Sequence, residues 1–544
     1  MLSRALILAT VVALATAAGA SARPVAGSAA KATPVAPSFF ISGRGWGHGI
    51  GMSQWGAYGF AQRGTTYDQI LAHYYRGTQL GSAPIARIRV LLGEGKKTLA
   101  VSAESAFTVR DGSGALHRLE PGQYAFGPAL KLKVGPTAQA RALRGPLLFS
   151  PGPTPLRYGG KEYRGQLQVN VGRNALQLVN NVGLEPYLYG VVPREVPSNW
   201  PTEALKAQAV VARSYALAVR KTGAYDVYAD TRSQVYGGIA AEKPTTNAAV
   251  DATAGQVLLY DGKIATTFFF STSGGRTASI EDVWTNGTPT PYLVSVPDPY
   301  EAASPHHTWG PYSFTTAKLR AAFRVPGQLL DVRLAVNPSQ RVATMTLVGT
   351  KGEVAVSGSD VRTKLGLRST WFRVGVLGLE RPARAVEFGQ AVALKGVARG
   401  LGANVRLEQR ASGAVWEPAA RVTPASGGAI QVVVKPSAST DYRLATSATI
   451  FGPPIRVSVA PRIRLQPVTD PATLRGLVRP VVPGVRVDVQ RLVGASWRPA
   501  GSGTLDVSGA FEVSVDLTPG TYRARVGPGR GLVPGVSPVL RVVG

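Results

Sequence analysis

Residues 191–215 read Val191-Val-Pro-Arg-Glu-Val-Pro-Ser-Asn-Trp-Pro-Thr-Glu-Ala-Leu-Lys-Ala-Gln-Ala-Val-Val-Ala-Arg-Ser-Tyr215, and they hold the strongest helix signal in the chain together with its most suggestive carboxylate. The helix is predicted from about Pro201 to Val219. Ser198 and Asn199 can cap it, Pro201 suits a first turn, and Glu203 sits where the helix dipole favours a carboxylate. Its interior is built of small residues, so another backbone can pack closely and the helix should be central to its domain. Gln208 and Arg213 lie inside it and must find partners. They either satisfy buried backbone or line one cleft with Glu195.

Glu195 is expected between two Val-Pro turns just ahead of that helix, on rigid backbone beside apolar side chains. Such a setting raises a carboxyl pKa towards the range of a general acid, unless Arg194 points the same way. A surface glutamate in a loop is the competing reading.

Outward from this stretch the chain changes character several times. Short alternations of Val, Ile and Leu between Ile85 and about Val182 predict strands, as in Leu167-Gln-Val-Asn-Val171. Two helices are expected earlier, Ser53 to Arg63 ending before Gly64, and Thr66 to Arg76 ending at Gly77. Strands are expected at Val257–Tyr260 and Ile264–Phe270, and a helix near Thr316 to Phe323.

After about Arg381 the chain repeats itself with a period of about 80 residues. Val405-Arg-Leu-Glu-Gln-Arg410, Trp416, Pro418 and Tyr442-Arg443 return as Val485-Arg-Val-Asp-Val-Gln-Arg491, Trp497, Pro499 and Tyr522-Arg523. Two such units of short alternating strands predict small β-sandwiches.

Two further segments carry polar chemistry. In Gly43-Arg-Gly-Trp-Gly-His-Gly-Ile-Gly-Met-Ser-Gln-Trp55 every second residue is glycine up to Gly51. If extended, the run puts Arg44, Trp46, His48 and Ile50 on one face and leaves the other as bare backbone. It serves either as a packing strand or as a sugar-binding wall with Trp46 or Trp55 as platform. It is not a dinucleotide fingerprint, since no βαβ unit precedes it. In Phe268-Phe-Phe-Ser-Thr-Ser-Gly-Gly-Arg276 a buried strand runs into a polar loop whose hydroxyls and amides can bind substrate. A serine hydrolase built on Ser271 or Ser273 with His48 is argued against by the missing Gly-x-Ser-x-Gly elbow. Adjacent His306 and His307 seldom reach one metal ion together.

Composition narrows the class. Residues 1–22 have a basic start, a short apolar run and a small-residue cleavage pattern, and they read as an export signal; residues 23–38, rich in Ala, Pro and Ser, read as a flexible leader. With 544 residues, three or more domains are expected. Cysteine is absent, so neither disulfides nor thiolate metal sites hold the fold. Lysine and arginine number 60 against 31 acidic residues, a net charge of +29. An anionic partner follows, either a wall polymer or a membrane surface. No clustered basic run or nucleic-acid-binding motif accompanies the charge, so nucleic acid is not expected.

Taken together, Glu185-Pro-Tyr-Leu-Tyr-Gly190 running into the 191–215 stretch, Thr272-Ser-Gly-Gly-Arg-Thr277, Leu365-Gly-Leu-Arg-Ser-Thr-Trp-Phe372, the Gly45–Ala57 block and His73-Tyr-Tyr-Arg-Gly-Thr78 resemble the SpoIID/LytB family. The resemblance covers roughly Phe39 to Arg373. It implies an α+β fold with mixed sheets and a central small-residue helix over residues 39–380, followed by all-β sandwiches at 381–460 and 461–544. In the family the glycine-rich block ends the domain, whereas here it comes first. This resembles a circular permutation, which expects residues near Phe39 to lie beside residues near Phe372.

The resemblance implies an exported, cell-envelope protein acting on peptidoglycan glycan strands as a lytic transglycosylase, with Glu195 as the sole acid/base and no cofactor. Substrate contacts are implied for Gln208, Arg213, Tyr215, Ser271, Ser273, Gly274, Gly275, Trp46, His48 and Gln54. Some relatives bind zinc through a cysteine; with none here, that metal is not carried over. The alternative the family offers is a non-catalytic peptidoglycan-binding module that stimulates a cell-wall amidase.

Overall fold

The computed structural model describes residues 33–134, 139–284, 287–402 and 404–543. The expected export signal at 1–22 and the first ten residues of the expected leader lie outside them. Thr33–Pro34 already pair antiparallel with Arg381 and Glu380, so regular structure starts ahead of Phe39, within the stretch whose composition reads as a leader.

Five helices, α1 (Gln54–Ala61), α2 (Tyr67–Tyr74), α3 (Leu184–Glu195), α4 (Thr202–Ala218) and α5 (Pro244–Ala252), form the centre. Twelve of the seventeen residues of α4 are buried, and the small side chains make this possible from both sides. Leu205, Ala209, Ala212 and Ala216, at helical spacing, face a core shared with α3 and the strands of 88–182. Ala207, Val210 and Val211 face a second core shared with α1 and α2. The N-cap of α4 is Pro201, without a side-chain cap, so the expected caps Ser198 and Asn199 are not used.

Arg213 is fully enclosed. Its Nε donates to Glu185 Oε1 at 3.1 Å, and its Nη1 to the Gln256 carbonyl at 3.0 Å. It therefore ties α4 to the first turn of α3 and to the strand Gln256–Tyr260. The β region supplies a seven-stranded sheet, antiparallel except at its edge strand Val227–Tyr228, which runs parallel to Arg87–Lys96.

A second sheet joins the two ends of the region that carries the family resemblance. The strand Ser38–Arg44 lies between Thr308–Phe314 and Phe372–Arg381, with Phe39 opposite Val376 and Gly43 opposite Phe372. Residues near Phe39 and Phe372 are thus directly paired. Both faces of this strand are buried: Phe39 and Ile41 enter one core with Phe372 and Val376, while Phe40 enters another with Leu377, Leu379 and Leu394. The sheet continues through Val392–Arg399 to Ala429–Val434. The first C-terminal unit therefore does not begin cleanly at 381, because it uses Phe40 and the strand 372–381 as part of its own core.

The last unit packs the sheet of Arg462–Leu465, Thr473–Arg479 and Ala510–Ser514 against one containing Arg486–Val493, Ser496–Thr504 and Gly520–Val526. One arrangement recurs in both units. Arg443 stands opposite Glu408 and lies 4.2 Å from the Trp416 ring centre; Arg523 stands opposite Gln490 and lies 4.0 Å from that of Trp497.

The glycine run departs from the extended strand its spacing suggests. Gly45, Gly47, Gly49 and Gly51 all have positive φ, from 73° to 120°. Side chains therefore do not alternate between faces: Ile50 is fully buried while Trp46 is exposed. The run lies against residues 268–273 so closely that a Cβ on Gly51 would sit 2.0 Å from the Phe268 carbonyl oxygen. By contrast a Cβ on Gly64, also left-handed at φ 81°, meets nothing within 4 Å. Gly64→Ala should cost only the ~1 kcal/mol of a left-handed alanine, whereas Gly51→Ala should cost more than ~2 kcal/mol because backbone must also move. Urea melts of the two variants against the parent measure the difference.

Candidate functional site

Glu195 is the last residue of α3, with Pro193 inside the final turn. It is thus on a helix end and not in the loop that the two Val-Pro pairs suggest. Its carboxyl is largely shielded from water, and burial pushes its pKa above the ordinary carboxylate value; the backbone N–H of Val235 pulls the other way and is outweighed. The C-terminal end of a helix dipole also disfavours a negative charge. Arg194 is exposed, so it does not neutralise its neighbour.

Two tyrosines flank this carboxyl. Burial and the charge of Glu195 raise the pKa of both Tyr187 and Tyr215. Tyr187 is fully buried and donates to Gln234 Oε1 at 3.2 Å. Tyr215 is half-buried in the last turn of α4, with its ring centre 5.8 Å from that of Phe268.

Helix α1 supplies the other wall. Ser53 caps it, its side chain accepting from the Gly56 N–H. Gln54 Nε2 reaches the Glu195 carbonyl oxygen at 3.3 Å and Gln208 Oε1 at 3.4 Å. Gln208 is fully enclosed and its Nε2 has no protein partner. With no exposed surface, it acts through Gln54 as a positioning residue. Trp55, Tyr58 and Trp200 meet ring to ring at 5.0 to 5.2 Å, and all three are partly exposed. Trp200 stands five residues beyond Glu195, and neither it nor Tyr187 was singled out in the sequence, although both lie in or beside the motif.

The remaining expected contacts divide. Arg213 is committed to Glu185 and to backbone, and does not face a cleft with Glu195. His48 has both nitrogens engaged: Nε2 contacts the Phe269 carbonyl at 3.1 Å and Nδ1 accepts from the Ile50 N–H at 3.0 Å. Burial, reinforced by the charges of Arg362 and Arg341, lowers its pKa to about 4. It is a neutral structural imidazole with no free lone pair for a sugar. Trp46 is 44 % exposed, with the His306 ring 4.5 Å away edge-on and the Arg368 guanidinium 5.2 Å from its centre.

Ser271 is half-buried, and its carbonyl accepts from the Trp55 N–H at 3.0 Å, which links the polar loop to α1. Ser273 is fully buried, its Oγ accepting from the Gly275 N–H at 3.0 Å. Gly274 and Gly275 have φ of 86° and 114°, and a Cβ on Gly274 would sit 2.6 Å from that of Arg44. The loop is therefore braced from within. Its support includes buried residues that no sequence signal marked. Asp298 accepts from Tyr74 OH at 2.7 Å, and buried Arg341 donates to the Ser273 carbonyl at 3.1 Å. His307 pairs with Glu301 at 2.5 Å, while His306 meets Arg368 at 2.8 Å, so the adjacent histidines serve different partners.

The family described as SpoIID, stage II sporulation protein, matches residues 172–260, the stretch that carries α3, α4, α5 and Glu195. Stage II sporulation protein D of Bacillus amyloliquefaciens is 34% identical over 228 residues, 38% of this chain and 64% of that protein. The protein of the same name from Bacillus subtilis (strain 168) is 33% identical over 230 residues, with the same shares of 38% and 64%. The amidase enhancer of Bacillus subtilis (strain 168) is 43% identical over 111 residues, 20% of this chain and 15% of that protein. Residues 172–260 are thus similar to the SpoIID family, and the chain spans just under two thirds of the sporulation proteins' length.

A carboxyl whose folded pKa is raised binds its proton more tightly in the native state. The native state is then penalised as pH rises from the ordinary carboxylate range towards the raised value of Glu195. Glu195→Gln, a neutral isostere, should make the protein more resistant to denaturant at pH 7 than the parent. The gain should shrink to nothing at pH 3, where both states carry the proton. Urea midpoints at the two pH values read this out.

Proposed function

We propose that the protein is an exported peptidoglycan lytic transglycosylase, cutting glycan strands preferably free of stem peptides, with Glu195 as its only acid/base. The observation that carries this reading is the Glu195 carboxyl itself: shielded, raised in pKa, with only burial and one backbone N–H acting on it. A hydrolase of the two-carboxyl type uses a second carboxylate within about 10 Å, and no charged side chain is among the causes of the raised Glu195 pKa. A lytic reaction needs one.

In that reaction neutral Glu195 gives its proton to the glycosidic oxygen between N-acetylmuramic acid and N-acetylglucosamine. The C1–O bond breaks, and the electron pair leaves with the N-acetylglucosamine hydroxyl. The muramyl 6-hydroxyl oxygen bonds to C1 and its proton passes to the Glu195 carboxylate, which closes the 1,6-anhydro ring and restores the acid. Atoms and charge balance without water. Tyr215, which feels the charge of Glu195, would stabilise the carboxylate form. Gln54, held by Gln208, fixes the end of α3. Trp55 and Trp200 offer ring faces to pyranose C–H groups.

The chain order is proposed to be a circular permutation of the family domain, supported by the pairing of Phe39 with Val376. The second reading is a non-catalytic peptidoglycan-binding module that stimulates a cell-wall amidase, favoured by the 43% identity to the amidase enhancer. Mass spectrometry of strands incubated with the protein separates the two. The enzyme yields anhydro-muramyl ends, reduced ~10²–10⁴-fold by Glu195→Gln. Binding without such products, with faster turnover by an added amidase, supports the module instead.

A further inference from the structure

A groove of about 620 Å³ lies away from Glu195, where Arg44 and Trp309 of the paired strands and Trp371–Arg373 meet Leu401 and Ile450 of the first C-terminal unit. That volume lies within the range of small-ligand and sugar sites. Arg44 and Arg373 are the only ionised side chains lining it, and both are exposed. Arg44 makes one long hydrogen bond, 3.5 Å to the Gly274 carbonyl, and its guanidinium lies 5.9 Å from the Trp371 ring centre. Arg373 donates to Ser42 Oγ at 3.1 Å. Neither has a carboxylate partner among the described residues, so two guanidinium groups and an indole face one groove without a neutralising charge.

We propose that this groove is a second glycan-binding site, which recognises the lactyl carboxylates of muramyl residues through Arg44 and Arg373 and stacks a pyranose on Trp371. The inference rests on the reading of the substrate as a peptidoglycan glycan strand and deepens it. Removal of a stem peptide frees one carboxylate on each muramyl residue, whereas the intact amide hides it. Two unpaired arginines thus supply a chemical reason for preferring stripped strands, because an ionised partner roughly doubles the strength of a hydrogen bond. The groove is incomplete without Leu401 and Ile450, which gives the first C-terminal unit a part in holding the strand. The Arg44–Gly274 contact joins this groove to the polar loop whose Ser271 carbonyl holds Trp55 near Glu195.

The test is calorimetry on the full chain carrying Glu195→Gln, so that strands stay whole, with and without Arg373→Glu or Arg44→Gln. Probes are stripped glycan strands, strands with stem peptides, chitooligosaccharides of matched length and poly(glycerol phosphate). Stripped strands should bind most tightly and lose at least ~10-fold in affinity in either arginine variant. Chitooligosaccharides, which carry no carboxylate, should bind weakly and equally to all forms. Urea melts on each variant confirm that it folds, and the exposed Arg373 makes this the safer substitution. Equal binding of stripped strands by parent and both variants would overturn the proposal, as would an Arg373-dependent preference for poly(glycerol phosphate). The enzymatic reading is judged separately, by anhydro products from the wild-type chain. Products with arginine-independent binding sink the groove alone; arginine-dependent binding without products sinks the enzyme alone.

Discussion

Backbone approaches backbone without intervening side chains where residues 45–51 lie against 268–273, and the rest of the site depends on that contact. Trp46 pairs with Thr272 by two main-chain hydrogen bonds of 2.8 and 3.0 Å, and Met52 donates to the Phe268 carbonyl at 3.1 Å. Alternate glycines make this closeness sterically allowed. The consequence is positional: α1 starts immediately afterwards, with Gln54 and Trp55 delivered to the end of α3. Buried groups then lock the arrangement. Arg341 holds the carbonyl of Ser273, Asp298 receives Tyr74, and His48 spends both nitrogens on backbone.

Among the described residues, Glu195 is one of three carboxyls that burial holds above the ordinary carboxylate range; the others, Asp298 and Glu301, hydrogen-bond Tyr74 and His307. Two other buried acids are compensated by arginine: Glu408 lies between Arg406 and Arg443, and Asp226 receives Arg89. Both are held below their ordinary pKa by those partners, although burial alone would raise them. Glu195 has only the Val235 N–H and sits at the unfavourable end of a helix. The same chemistry that stabilises the structural acids is withheld here, which leaves a carboxyl able to keep its proton. Burial at a helix C-terminus makes Glu195 a candidate for a working acid.

Much of the layout was legible from local pattern. The small-residue run of α4, the presence of α1 and α2, the helix Thr316–Phe323 and the strands of 85–182 follow from periodicity and capping chemistry, although α1 and α2 end at Ala61 and Tyr74, short of Gly64 and Gly77. Helix α3 was not legible, because the pairs Val192-Pro193 and Val196-Pro197 read as turns. Burial of Leu184, Tyr187, Leu188, Val191 and Val192 overrides that weak propensity. The glycine run misled for a different reason: a period of two implies alternating faces only if the backbone is extended, and glycine leaves φ undetermined. Arg213 and His48 show the limit for sites. Their residue types suit a cleft, but nothing local reveals that Glu185 and the Phe269 carbonyl claim them first.

The strand Ser38–Arg44 carries a comparable lesson for architecture. Its alternation Phe39, Phe40, Ile41 looks like a plain buried strand, yet its two faces feed two cores and fuse the first C-terminal unit to the region before it. A spacer hung on a flexible joint would not share a strand. The account as a whole stands on the protonation of one side chain. A ¹³C NMR titration of glutamate carboxyls in the wild-type chain and in Glu195→Gln tests it most directly. The resonance missing from the variant should titrate above the ordinary glutamate range; if it titrates within or below that range, Glu195 is an ionised surface carboxylate and the account is wrong.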